Sequence, residues 1–376
     1  MKVVVDENMP YADTLFGQMA EVVAVKGRPL PREALEEADA LMVRSVTVVD
    51  RALLQNTPVQ FVGSATAGID HICTEDLQKL GIKFSAAAGC NALAVVEYVL
   101  SGLLALAERD DFLLADRCIG IIGVGNVGKR LQQRCEALGM TVLLCDPPRA
   151  SQEGEADFCQ LDALLQAADI VTLHTPLITE GRWPTYHLLN RQRLGDLRPA
   201  TIIINACRGP VIDNQALLDT LTARKDLSVI LDVWEQEPHV DPALLQQIDF
   251  GTAHIAGYTL EGKVRGTTQV FEAWSKHIGS PQQVDLAQLI GDAAVSEITL
   301  CGKLQQKQLK RLVHLVYDIR ADDALLRQNY HKPGGFDRLR KTYQVRREWS
   351  SLRVNCDDEA TCQVLNNIGF SARIHP

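Results

Sequence analysis

The sequence has no apolar run long enough to cross a membrane as a helix. Such a span needs roughly 18 consecutive apolar residues, and the longest apolar stretch here, residues 92–109, is too polar at its edges. The N-terminal segment, MKVVVDENMP, also lacks the apolar stretch and the small-residue cleavage site of a secretory signal. These absences predict a cytoplasmic protein with no membrane partner.

The cysteines lack the short repeated spacing of a zinc site. Ten of them are scattered along the chain, and the tail pair Cys356 and Cys362 has no cysteine or histidine beside it at the spacing of zinc ligands. Cysteines in apolar or helical contexts are typical of reduced residues that pack in an interior. The sequence therefore predicts no metal site.

Positive charge is in deficit. The 376 residues include 38 lysines and arginines against 47 aspartates and glutamates, which gives a net charge of −9. This balance argues against nucleic acid as a partner, although a local arginine cluster can still bind an anionic substrate at short range. Residues 301–350 depart from the rest of the chain, with twelve basic residues against five acidic ones.

Strand-like and helix-like segments alternate along the first three quarters of the chain, which predicts parallel sheets covered on both faces. A long apolar stretch at 92–109 predicts a buried helix between two such sheets. After Gly279-Ser280-Pro281 the character changes, and we predict a small α+β appendage there. The predicted strands are residues 2–6, 21–25, 40–44, 60–64, 119–122, 141–146, 169–173, 201–205, 228–233 and, within the appendage, 351–356.

A glycine-rich turn follows the strand at 119–122. Gly123, Gly125 and Gly128 match the pattern G-x-G-x-x-G, and a helix begins near Asn126. The three glycines permit a tight turn, close approach of a pyrophosphate and close helix–strand packing, and the helix N-terminus attracts that pyrophosphate. Asp146, at the end of the next strand, can accept hydrogen bonds from ribose hydroxyls and would repel the extra phosphate of NADP. The pattern predicts an NAD site in a Rossmann domain.

Three polar segments follow later strands, at the strand ends where open α/β sheets bind ligands. Oxidation of a 2-hydroxy acid needs a cation for the carboxylate, a base for the hydroxyl proton and a carboxylate that orients the base. Arg208, His254 and Glu237 can fill these roles in that order, and Asp232 can contact the nicotinamide carboxamide. Each residue alone is more often an ordinary surface or loop residue, but together, downstream of a dinucleotide fingerprint, they predict a dehydrogenase site.

These residues resemble the D-isomer-specific 2-hydroxyacid dehydrogenases over about residues 1–280, through the segments GVGNVG, NACRG, DVWEQEP and HIAGYT. The resemblance implies an α/β fold with two doubly wound parallel-sheet domains. One is a flavodoxin-like substrate domain, residues 1–95 and 258–280, and the other is a Rossmann NAD-binding domain, residues 96–257. Residues 281–376 are similar to the tail of one branch of the family, which implies a C-terminal dimerisation domain, a homodimer and a small phosphorylated hydroxy-acid substrate.

The resemblance also assigns roles to single residues. It implies catalytic roles for Arg208, Glu237 and His254. Alanines at 88 and 253 stand where the family pattern leads us to expect proline. The residues implied to surround NAD are Gly123, Gly125, Asn126, Val127, Gly128, Asp146, Thr175, Ala206, Cys207, Arg208, Asp232 and Gly257. Those implied or suggested to contact substrate are Ser45, Thr66, Tyr258 and, for a phosphate, Arg44.

Other interpretations remain open at this level. The chain could be another dehydrogenase of the same family, acting on 3-phosphoglycerate or an unphosphorylated acid, although its tail argues against this. It could also be an NAD-sensing binding module or corepressor, or an inactive homologue. Arg346 and Arg347 of the basic tail could reach the active-site cleft of a neighbouring subunit; a solvated or dimer-interface position is the favoured alternative.

Overall fold

The structure, a computed structural model, describes residues 1–375. Within these residues, fourteen strands form three sheets in which all neighbouring strands are parallel. The strands are β1 (Lys2–Asp6), β2 (Glu21–Val25), β3 (Ala40–Val43), β4 (Phe61–Ser64), β5 (Lys83–Ala86), β6 (Cys118–Ile122), β7 (Thr141–Cys145), β8 (Ile170–Leu173), β9 (Ile202–Asn205), β10 (Ser228–Leu231), β11 (Phe250–Gly251), β12 (Glu297–Leu300), β13 (Arg353–Cys356) and β14 (Ser371–Ile374).

Helices connect the strands, as parallel pairing requires. None of the helices in residues 1–375 is both long and apolar enough to span a membrane. The α-helices are α1 (Ala12–Phe16), α2 (Arg51–Leu54), α3 (Thr74–Lys79), α4 (Ala92–Arg109), α5 (Asn126–Ala137), α6 (Pro147–Glu153), α7 (Leu161–Ala167), α8 (Arg191–Gly195), α9 (Asn214–Ala223), α10 (Pro242–Gln247), α11 (Leu260–His277), α12 (Leu286–Leu289), α13 (Gln306–Val316), α14 (Ile319–Asn329), α15 (Gly335–Lys341) and α16 (Glu359–Ile368). Short 3-10 helices lie at Arg32–Leu35, Leu114–Asp116, Gly209–Val211 and Trp349–Ser351.

The first of two compact units comprises residues 1–92 and 258–292. Its sheet has the order β2-β1-β3-β4-β5, the flavodoxin-like order. Helix α11 packs on this sheet although it lies far along the chain, and its Phe271 and Trp274 contact Phe16 of α1 at ring-centroid distances of 5.2 and 5.4 Å. Because all three rings are buried, these contacts hold the returning helix in the first unit.

The second unit comprises residues 93–257 and 293–376. Its large sheet has the order β11-β10-β9-β8-β6-β7, so the chain enters at β6 and then builds strands on both sides of it. Such a switch point opens a crevice at the carboxyl ends of the strands, where doubly wound folds bind ligands. The two large parallel sheets confirm the predicted fold class.

The C-terminal segment of the second unit, residues 293–375, carries its own small sheet, with the strand order β12-β13-β14. Two of its helices nevertheless pack into the core of the cofactor domain, which is the part of the second unit that contains the large sheet. Leu326 of α14 and Phe336 of α15 are buried in the same hydrophobic cluster as side chains of β8, β9 and β10. The separate domain expected at residues 281–376 stays a prediction.

Candidate active site

The predicted cofactor and catalytic residues lie in loops at one edge of the large sheet of the second unit. This follows from the parallel topology, because every strand of the sheet ends at the same edge. Six strands contribute. Gly123 follows β6, Asp146 follows β7, Thr175 follows β8, Ala206 to Arg208 follow β9, Asp232 follows β10, and His254 to Gly257 follow β11.

The glycine-rich turn has the geometry that a dinucleotide needs. Gly123 has a φ of 88°, and a Cβ there would lie 2.6 Å from the carbonyl oxygen of His174. A Cβ on Gly128 would lie 2.1 Å from the Gly123 carbonyl oxygen, whereas the position above Gly125 is open. Gly125 is also the N-cap of α5 and has no side chain to cap it, so the first-turn N–H groups, including those of Asn126 and Val127, can bind a phosphate.

Asp146 is fixed at the end of β7. Its carboxylate accepts hydrogen bonds from the backbone N–H of Val124, at 2.8 Å, and of Arg149, at 3.1 Å. The Arg149 guanidinium donates two hydrogen bonds to Glu153, at 2.8 and 2.6 Å. Because Arg149 is paired with Glu153 and the Asp146 carboxylate would repel a 2′-phosphate, this end of the site fits NAD rather than NADP.

His254 and Glu237 form a hydrogen-bonded pair. The Nδ1 atom of His254 lies 2.8 Å from Oε2 of Glu237, and the other carboxylate oxygen accepts the backbone N–H of Trp234 at 3.0 Å. Burial raises the pKa of Glu237, but the hydrogen bond and charge of His254 outweigh that effect and hold the pKa below its ordinary value. The ionised carboxylate can only accept a hydrogen bond, so the bonded Nδ1 is the donor, and Nε2 is the ring nitrogen that can exchange a proton with a reacting group.

The His254 loop is held by Asp232. His254 has a φ of 55°, a left-handed conformation that side chains rarely adopt, and its N–H donates to the Asp232 carbonyl at 2.7 Å. The buried Asp232 carboxylate accepts the N–H groups of Ile255 and Ala256, at 2.7 and 2.9 Å, and the hydroxyl of Thr252 at 2.6 Å. Asp232 therefore fixes the histidine loop; its contact with nicotinamide stays a prediction.

Arg208 lies on a turn that packs closely against the loop after β10, which carries Trp234. Its Nη1 donates to the Cys207 carbonyl at 2.7 Å, and its own carbonyl accepts from the Asn205 side chain at 2.9 Å. A Cβ on Gly209 would lie 2.0 Å from the Trp234 carbonyl oxygen, so this position admits only glycine. The close approach makes the Arg208 turn a neighbour of the Trp234–Glu237 segment.

The substrate residues predicted in the first unit lie at the ends of β3 and β4 and before α11. Thr66 shares a hydrogen bond of 2.9 Å with Ser64, and Ser45 is exposed. Arg44 and Tyr258 come together, with the guanidinium carbon 5.9 Å from the ring centroid. Lys263 of α11 was not predicted from the sequence, and its Nζ lies 4.8 Å from the same ring. Burial, with a smaller effect of Arg44, lowers the pKa of Lys263 to about 8.

A second polar cluster, formed by His187, Asp213 and Glu235, was also not predicted from the sequence. His187 contacts Glu235 through Nε2, at 2.6 Å, and approaches Asp213 through Nδ1, at 3.7 Å. Their ligand atoms lie within 4.8 Å of one another. Because the imidazole ring lies between the two carboxylates, the arrangement favours hydrogen bonds over one shared ion, and the absence of a metal requirement stays a prediction.

The hypothesis that Arg346 reaches a neighbouring subunit's cleft is wrong. Its side chain is 4% exposed and its guanidinium is hydrogen-bonded within its own chain. The favoured alternative, a solvated or dimer-interface face, is wrong for Arg346 for the same reason. The expectation for Arg347 stays a prediction.

The family described as D-isomer specific 2-hydroxyacid dehydrogenase, NAD binding domain, matches residues 105–256. Residues 289–369 match a domain of unknown function. The chain is 60% identical to the erythronate-4-phosphate dehydrogenase of Cronobacter sakazakii and 61% identical to that of Klebsiella pneumoniae, in both cases over all 376 residues and the full length of both chains.

A solved structure shares the fold. The NAD⁺-bound 3-phosphoglycerate dehydrogenase of Entamoeba histolytica superposes with a TM-score of 0.64 at 24% identity, covering 74% of this chain and 95% of that one. At this identity the likeness concerns the fold alone.

Proposed function

The chain belongs to the erythronate-4-phosphate dehydrogenases, within the D-isomer-specific 2-hydroxyacid dehydrogenases, and from that membership we propose that it oxidises 4-phospho-D-erythronate. It is an NAD-dependent dehydrogenase. The proposed product is 2-oxo-3-hydroxy-4-phosphobutanoate, and the proposed setting is pyridoxal 5′-phosphate biosynthesis. The observation that carries the proposal is the 2.8 Å hydrogen bond between Glu237 and His254, at the sheet edge where Arg208 also lies.

Each proposed catalytic role follows from the chemistry of the side chain. Arg208 would hold the substrate carboxylate, because a guanidinium can donate two parallel hydrogen bonds to it. His254 would take the proton of the carbon-2 hydroxyl on Nε2, while Glu237 stabilises the imidazolium that forms. NAD, held at the glycine-rich turn and Asp146, would supply the acceptor for the hydride of carbon 2, while the hydroxyl proton passes to His254.

The phosphate of the substrate needs cations of its own. Arg44 and Lys263 both approach the ring of Tyr258, so two positive charges lie close together in the first unit. Neighbouring cations repel each other unless an anion lies between them, and the pKa of Lys263 is lowered by burial and, to a smaller extent, by this repulsion. We propose that these two side chains bind the phosphate, and that Ser45, Thr66 and Tyr258 also contact substrate.

Replacing Lys263 should weaken substrate binding without abolishing chemistry. Lys263→Met is expected to raise the KM for 4-phospho-D-erythronate about 10–100-fold, the effect of losing one charge-assisted contact, with a much smaller change in kcat. The exposed Lys276 lies on the same helix, so Lys276→Met is the matched control and should leave KM unchanged. Equal KM values in the two variants would show that Lys263 does not bind the substrate phosphate.

The same lysine predicts a pH dependence of KM. Its pKa is lowered to about 8, so the ammonium loses its proton as the pH rises through that value. The KM for the phosphorylated substrate should therefore rise in alkaline buffer, measured from about pH 7 to about pH 9.5. Lys263→Arg keeps its charge throughout this range, so that variant should lose the alkaline rise.

The direct test of the function is NADH formation by the purified protein. 4-Phospho-D-erythronate, 3-phosphoglycerate and D-lactate are compared, each with NAD and with NADP. The proposal expects strong preference for 4-phospho-D-erythronate and NAD. Preference for another acid would keep the family and overturn the substrate, whereas NAD binding without turnover of any of them would favour the binding-module alternative.

We further propose a homodimer formed through residues 281–376, with neither nucleic acid nor a membrane as partner, and a cytoplasmic location. The dimer is supported by the edge strand β14, whose Ile374 is 49% exposed, since an open strand edge with apolar side chains favours pairing with another chain. The ten free thiols fit a reducing compartment.

A further inference from the structure

The C-terminal segment places a buried arginine beside the loop that carries His254. Arg346 lies in a stretch without regular secondary structure between α15 and β13, and its side chain is 4% exposed. Its Nη1 donates to the Ala256 carbonyl at 3.0 Å, and its Nη2 donates to the Ala94 carbonyl at 2.7 Å. The guanidinium carbon lies 3.6 Å from the ring centroid of Tyr317. A guanidinium is costly to bury without such partners.

Arg346 and Asp232 hold the two ends of Ala256, which lies two residues after His254. The N–H of Ala256 donates to the Asp232 carboxylate, and the carbonyl of Ala256 accepts from Arg346. Asp232 belongs to the cofactor domain and Arg346 to the C-terminal segment, so the two ends of the same residue are held by parts of the chain that lie 114 positions apart. His254 itself is in a left-handed conformation that must be maintained by its surroundings.

The segment that carries Arg346 is in turn fixed to the same unit. The N–H of Trp349 donates to Oε1 of the buried Glu97 at 2.9 Å, and its ring stacks on Phe370 at 5.1 Å. The hydroxyls of Tyr317 and Tyr343 both donate to Asp322, at 3.0 and 2.7 Å. Arg346 is therefore held in place by rigid neighbours on both sides in the sequence.

We propose that Arg346 is a positioning residue for the reaction: it holds the Ala256 carbonyl so that His254 Nε2 stays where the substrate hydroxyl proton is transferred. This rests on the proposed role of His254. It gives the C-terminal segment, which matches a domain of unknown function, a part in catalysis within its own chain. Arg346 touches no reacting atom in this proposal and acts through the histidine loop.

The test compares substitutions at Arg346 with two controls in the full-length protein. Arg346→Met keeps an unbranched side chain and removes its donors, and Arg346→Lys keeps one charged donor group. Arg353→Met removes an exposed arginine of the same segment that pairs with Glu297 at 3.3 Å. Leu365→Ala destabilises the core of the segment, where Leu365 is 0% exposed, without removing a donor to Ala256.

Arg346→Met is expected to lower kcat about 10–100-fold, the effect of a small displacement of a reacting group. The KM values for NAD and substrate should change less than about threefold, because no binding contact is removed. Arg346→Lys should recover part of kcat, and the controls should keep it. If Arg346→Met fails to fold, the kcat of Arg346→Lys is compared with the kcat values of Arg353→Met and Leu365→Ala. A lower kcat in Arg346→Lys alone supports the proposal, and equal values overturn it.

Hydrogen–deuterium exchange of the peptide containing Ile255 and Ala256 gives a readout that needs no substrate. Both amides donate to Asp232, and their exchange should accelerate about tenfold or more in Arg346→Met and not in Leu365→Ala. The proposal is overturned if exchange and kcat are unchanged at Arg346, or if Leu365→Ala has the same effects. If the wild-type protein oxidises none of the acids, exchange still decides whether Arg346 holds the loop.

Discussion

His254→Asn will lower kcat about 10²–10⁴-fold, the contribution of a general base, while NAD still binds. Asparagine is chosen over alanine because it tolerates the left-handed conformation that residue 254 adopts, at a φ of 55°. The loop bonds of Ile255 and Ala256 to Asp232 involve only backbone N–H groups and should survive. The loss then reports the missing imidazole and not a collapsed loop.

The measurement is steady-state NADH formation together with calorimetric titration of NAD. His239→Asn is the matched control, because His239 is an exposed histidine in the loop that also carries Glu237. Wild-type kcat in His254→Asn would contradict the role of base. A parallel loss of NAD affinity would mean that the substitution disturbs the cofactor site.

Arg208→Met will lower kcat/KM by about 10²–10⁴-fold. Two charge-assisted hydrogen bonds to the substrate carboxylate are lost, and each contributes on the order of 1.5–3 kcal/mol. Arg208→Lys should recover only part of this, because an ammonium cannot reproduce the two-pronged geometry of a guanidinium. The turn itself should persist, since Gly209 and the bond from Asn205 to the backbone of residue 208 are untouched.

The control for Arg208 is a surface arginine of the same unit. Arg191 pairs with Asp219, and its side chain is 67% exposed, so Arg191→Met should leave kcat/KM unchanged. If Arg208→Lys matched the wild type in kcat/KM, the two-pronged carboxylate contact would have to be abandoned in favour of a simple charge effect.

The strands at the centre of each large sheet were predictable from sequence because they are buried on both faces and read as continuous apolar runs. The expected strands at 2–6, 40–44 and 119–122 coincide with β1, β3 and β6 to within a residue. The strands that were missed, β5, β11, β12 and β14, are all edge strands. Edge strands are short and partly exposed here, so pairing with a neighbour defines them more than their own composition does.

The parts of the candidate site that could be predicted from the sequence are those whose residues form a motif within a short stretch of chain. The glycine turn and Asp146 lie at a spacing set by one strand–helix–strand unit, and the structure places both at the carboxyl ends of adjacent strands. The residues that were missed have no such pattern. Lys263 becomes notable only because α11 returns to the sheet that carries Arg44. A charged tail such as that around Arg346 ordinarily lies in solvent, and only the tertiary structure reveals that this arginine is buried.

The shared hydrophobic core of the second unit has a consequence for any truncated form of the protein. Leu326 and Phe336 of the C-terminal segment fill the core of the cofactor domain. A chain that ended before them would expose the apolar surface that they cover, and exposed apolar surface of this kind favours aggregation. The cofactor domain is therefore expected to depend on the C-terminal segment for its solubility.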